Sequence, residues 1–93
     1  MTALYNSRKG FDILRIDKYL KNSRIIKRRP IAKEACEKGR VFINERQAKP
    51  GDEVKTGDIV EVNFGNSTMK IEVLETLDNV KKEDAIKLYN IID

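Results

Sequence analysis

The spacing of apolar residues changes from a helical period to a period of two at Gly39, and that change points to two short helices followed by a small sheet. Upstream, Ile16, Tyr19 and Leu20 fall at i, i+3 and i+4, one face of a helix, with Arg15, Lys18 and Asn22 as a polar stripe beside them. A basic connector over residues 23–29 follows. Pro30 suits the first turn of a second helix, where its missing N–H is no loss. Ile31, Ala32, Ala35 and Cys36 supply the expected buried side of that helix, with Lys33, Glu34, Glu37 and Lys38 mostly outward. Gly39 stands where a left-handed cap is wanted.

Beyond Gly39 the apolar residues alternate. Val41 and Ile43 give a short strand, and Asn44-Glu45 a turn in which a positive φ at Glu45 would cost ~1 kcal/mol relative to Gly. Gln47 to Lys49 can pair back before Pro50-Gly51 breaks the chain. A second turn at Lys55-Thr56-Gly57-Asp58 leads into a strand over residues 59–64, and Gly65-Asn66-Ser67 turns again into Met69, Ile71 and Val73. Asp78 or Asn79 can cap a final helix with Ala85, Leu88, Tyr89 and Ile92 at helical spacing. The expected fold class is α+β, with two short N-terminal helices packed on a small, curled, mostly antiparallel sheet and a C-terminal helix. Residues 1–13 read as a mobile extension, 14–78 as the domain and 79–93 as the helix packed on it.

Charge is divided as sharply as periodicity. From Arg8 to Lys49 there are fourteen Lys or Arg and five acids, and from Pro50 to Asp93 five bases and ten acids, so halves of +9 and −5 make the net +4. Seven bases with one acid between Arg15 and Arg29 would repel each other without a counter-anion, which a polyanion supplies. With no His and one Cys, zinc sets and His-based triads cannot be assembled, and no phosphate loop or dinucleotide fingerprint is present. No catalysis, cofactor or metal is expected. No apolar run approaches the ~18 residues of a membrane span, so a cytoplasmic protein without membrane contact is the expectation.

Residues 15–62 resemble the S-four RNA-binding domain. The resemblance rests on Arg15-Ile16-Asp17-Lys18-Tyr19-Leu20, the connector ending Arg28-Arg29, Ala32-Lys33, Gly39-Arg40-Val41-Phe42-Ile43-Asn44 and Val54-Lys55 with Gly57-Asp58-Ile59-Val60-Glu61-Val62. Glu45 and Pro30 depart from that family's usual Gly and Ser or Thr, and both changes affect turns only. The helical stretch from Arg15 and the Lys81-Lys82-Glu83 tail also resemble the stand-alone RqcP-like group, relatives of the fifteen-kilodalton heat-shock protein. The resemblance implies the alpha-L RNA-binding motif and binding to stalled large ribosomal subunits. There such proteins contact large-subunit ribosomal RNA and peptidyl-tRNA, and support alanine tailing by an RqcH-type factor. A monomer in isolation is expected.

Structured RNA is read largely through phosphates and 2′-hydroxyls, which favours a rigid helical platform of Arg and Lys. Arg15 and Arg29 lead the candidates, since both lie at helix starts, a guanidinium forks two phosphate oxygens, and both match the family's RNA-contacting positions. Lys18, Arg24, Lys27, Arg28 and Lys33 extend the surface, and Arg40 and Lys49 complete it. Asp17 reads as orienting Arg15 or Lys18, Cys36 as a small core residue, and Tyr19 as core. Phe42 is either a second-face core residue or an exposed stacking platform. Two other functions fit the same residues: a detached module serving an RNA-modifying enzyme in trans, or a general RNA chaperone or DNA-binding protein.

Overall fold

The computed structural model describes residues 13–77 and 80–92. Strand β1 (Ile13–Arg15) runs directly into helix α1 (Ile16–Asn22), and α2 (Arg29–Glu37) follows the basic connector. Strands β2 (Val41–Ile43), β3 (Arg46–Gln47), β4 (Glu53–Lys55), β5 (Ile59–Asn63) and β6 (Thr68–Val73) come next, then a 3-10 helix (Lys82–Leu88) and β7 (Tyr89–Ile91). All pairings are antiparallel, in a five-stranded sheet ordered β3-β2-β5-β6-β7 and a ribbon of β1 with β4. The α+β expectation holds. Residues 1–12, most of the expected extension, lie outside the described residues. Ile13, counted with that extension, instead opens β1 opposite Lys55.

One core joins the layers. Ile16, Tyr19 and Leu20 of α1 and Ala32 and Cys36 of α2 are buried against Val41, Val60, Val62, Ile71 and Val73 of the large sheet, and Val54 of the ribbon closes the same cluster. The i, i+3, i+4 stripe and the two-residue alternation thus bury what their periods require. Burial pushes the Cys36 thiol up to about 11, so it is protonated at neutral pH and packs as a small apolar group. Ile31 departs from expectation: it is 51% exposed. It stands about 160° around the helix from Arg29, beyond the arc that Ala32 and Cys36 turn inward.

The turns form where they were expected. Asn44 and Glu45 both take positive φ, 51° and 71°, a two-residue hairpin loop whose twist matches that of the strands. Gly39 (φ +73°) ends α2, its N–H donating to the Cys36 carbonyl at 3.0 Å, and a Cβ there would meet Gln47 Nε2 at 3.0 Å. At the C-terminus the helical spacing yields a 3-10 helix ending at Leu88, and Tyr89 and Ile91 pair with Val73 and Ile71. A three-residue period still buries Ala85 and Leu88, while the open edge of β6 offers Tyr89–Ile91 ladder bonds that a further helical turn would forgo. The buried Tyr19 hydroxyl donates to the Leu88 carbonyl at 2.7 Å, fastening this segment to α1. The expected cap residues, Asp78 and Asn79, lie outside the described residues.

Candidate nucleic-acid interface

The start of α1 has no side-chain cap. Its first N–H groups are taken instead by the loop after β3: Ile16 N–H donates to the Asp52 carbonyl at 2.7 Å and Asp17 N–H to that of Pro50 at 3.4 Å. This frees the Asp17 side chain to act elsewhere. Its carboxylate is 3% exposed and accepts from Arg15 Nε at 3.3 Å and Arg15 Nη2 at 3.0 Å. The same oxygen that takes the Arg15 Nη2 bond lies 3.6 Å from Arg29 Nε, delivered from the start of α2. Two guanidiniums from different helices therefore converge on one buried acid, each still about half exposed. Arg15, Arg29, Pro30 and Lys33 line a single open depression around it. Arg15 commits two of its five N–H groups to Asp17, and among the described residues no other side chain takes the remaining three.

Other expected cations gather at the edges. Lys18 is half-buried on α1, one residue beyond Asp17. Arg24, Lys27 and Arg28 are exposed on the connector, and Arg28 immediately precedes α2. Arg24 holds φ +64°, a left-handed position that glycine fills most easily, with its N–H on the Lys21 carbonyl. Such a conformation costs on the order of 1–2 kcal/mol and persists because Ile26 N–H is held by the Leu20 carbonyl at 3.1 Å. Lys49 is exposed on the loop that caps α1, and Arg15 Nη2 packs beside Gly51 of that loop, 3.9 Å from where a Cβ would stand, an ordinary contact distance. Among the described residues, neither Arg15 nor Arg29 is tied to an acid of the second half, since their carboxylate is Asp17.

Arg40 is the exception. It leaves α2 on the Ile31 side and lines a separate groove with Ile25, Ile31 and Phe64. Its distance from the clamp was not legible from a stretch that reads only as basic. Phe64 was read merely as the end of a strand; it is 43% exposed at the β5–β6 turn. Phe42 is half-buried and lies outside the core cluster, between Gln47 and Glu61 on neighbouring strands. Among the described residues no group of three or more His, Cys, Asp or Glu is placed to hold a metal, and no helix is long and apolar enough to cross a membrane.

Fold and site together define a small α+β protein with an acid-pinned cationic platform on its first two helices. The chain belongs to the S4 domain family, whose model matches residues 14–60. It is 52% identical over 79 residues to the RQC P-site tRNA stabilizing factor of Streptococcus pneumoniae, covering 85% of this chain and 90% of that protein. The protein of that name from Listeria monocytogenes is 54% identical over 81 residues, covering 85% and 86%. Among solved structures, the trimeric Vibrio cholerae heat shock protein 15 superposes with a TM-score of 0.78 at 27% identity, covering 87% of this chain and 83% of that one.

Proposed function

We propose that this protein is a non-catalytic RNA-binding factor of ribosome-associated quality control. It docks on stalled large ribosomal subunits and touches both ribosomal RNA and the peptidyl-tRNA, so that an RqcH-type factor on the same subunit can extend the nascent chain with alanine. The observation that carries the reading is the convergence of Arg15 and Arg29 on buried Asp17. Supporting it are relatives above 50% identity whose name states P-site tRNA stabilization. The mechanism is positional. Phosphates replace water around guanidiniums that are already oriented, and Lys18, Lys27, Arg28, Lys33 and Lys49 spread the contact along the RNA. If about five phosphates are neutralised, the log–log salt slope of binding is roughly −3.5 to −4.5.

The test is co-sedimentation with purified large subunits carrying peptidyl-tRNA. Arg15→Ala and Arg29→Ala should each still fold cooperatively, Arg15→Ala with a lower Tm because it strips two hydrogen bonds from the buried Asp17 carboxylate, and both should lose the pellet fraction. Two variants that sediment like wild type would refute the site. Retention of a modifying enzyme instead of ribosomes would favour the detached-module reading.

A further inference from the structure

We propose that the groove between α2, the connector and the β5–β6 turn seats one unpaired nucleotide of RNA, its base against Phe64 and its phosphate on Arg40. The groove holds about 350 Å³ and is walled by Ile25, Ile31, Ala35 and Phe64. That places it at the small end of the roughly 300–1,000 Å³ spanned by small-ligand sites. Two of its walls, Ile31 and Phe64, are large apolar side chains left 51% and 43% exposed. The seat is distinct from the clamp, since Ile31 stands about 160° around α2 from both Arg29 and Lys33.

Both proposed contact residues are fixed in place. Arg40 N–H donates to the Ala35 carbonyl at 3.0 Å and its carbonyl accepts from Asn63 N–H at 2.8 Å. Phe64 N–H bonds the Ser67 carbonyl, and Asn63 Oδ1 accepts from Gly65 N–H, which locks the turn that presents the ring. Arg40 Nη1 reaches 3.9 Å from the Cβ position of Gly65, so cation and ring are neighbours. Among the described residues no carboxylate comes within ion-pair distance of Arg40; Glu34 on the same rim is held by Lys38 at 2.9 Å. The rim is thus net positive. An exposed aromatic beside a guanidinium that no described carboxylate holds in an ion pair is the pairing that splayed bases use, the ring taking the base and the cation the backbone. An acidic peptide could pair with Arg40 but would leave the ring without a preferred partner, so RNA is favoured.

The inference rests on the RNA-binding reading, and the two are separable with two probes. One is a six-nucleotide single strand carrying 2-aminopurine; the other is a blunt RNA duplex. Phe64→Ala and Arg40→Gln should each weaken the hexamer on the order of tenfold and relieve 2-aminopurine quenching. Phe64→Tyr should restore both readouts, and duplex affinity should stay within about twofold for Phe64→Ala. Arg15→Ala should instead weaken the duplex, and its failure to do so would sink the clamp while leaving the groove result intact. The proposal is overturned if Phe64→Ala binds the hexamer like wild type, or if the wild type does not quench it. Loss of subunit co-sedimentation by Phe64→Ala with unchanged hexamer binding would also overturn it, in favour of a protein partner.

Discussion

Replacing Asp17 by Asn sets two physical effects against each other with opposite signs. The substitution keeps the shape of the side chain and removes one negative charge from a surface proposed to bind RNA. Charge counting alone says binding should tighten: with a phosphate about 6 Å away, removing the acid gains about 0.7 kcal/mol in water, roughly threefold. Geometry says the reverse. Asp17 takes two hydrogen bonds from Arg15 and an ion pair from Arg29 on one buried carboxylate. Without it, two guanidiniums less than about 7 Å apart repel by about 0.6–2.4 kcal/mol between water-like and surface dielectrics, and both swing out. Reordering each on RNA costs about 0.5–1.5 kcal/mol. Because both heads are half exposed and screened, the low end of these ranges applies, and the net expectation is a complex weaker by about 0.9 kcal/mol, roughly fivefold.

Salt titration by fluorescence anisotropy separates the two effects. A clamp that no longer places its pair loses one or two phosphate contacts, so the log–log slope becomes shallower by about 0.7–0.9 for each. A variant that bound more tightly with a steeper slope would show that Asp17 is only an electrostatic burden. A melting curve controls for folding.

Two further substitutions test the frame around the clamp. Tyr19→Phe removes one of the bonds to the Leu88 carbonyl, which still accepts from the Leu74 and Glu75 N–H groups, and should cost about 0.5–1.5 kcal/mol, read as a fall in Tm of a few degrees; an unchanged Tm would mean that the C-terminal segment is not fastened through this bond. Glu45→Gly relieves a non-glycine residue at φ +71° and should stabilise by about 1 kcal/mol in urea unfolding, whereas a loss would show that the Glu side chain matters more than its backbone strain.

The sequence by itself determined the elements and the sign of the surface. A stripe at Ile16, Tyr19 and Leu20, Pro30 at the start of α2, Gly39 at its end and alternation through Val41–Ile43 and Ile59–Asn63 are local facts, and each formed as its period required. The cationic first half is likewise a matter of counting. Even an orienting role for Asp17 was legible, toward Arg15 or Lys18 on the same helix start, and the structure shows its carboxylate taking two bonds from Arg15. What only the tertiary structure decided is which distant residues meet. That Arg29 shares the Asp17 carboxylate depends on how α2 crosses α1, and that Arg40 turns away toward Phe64 depends on where β2 enters the sheet. The β1–β4 ribbon and the conversion of the last helical turn into β7 have the same origin: open strand edges found partners far along the chain. Periodicity encodes which face of an element is apolar, but not what that face will be set against.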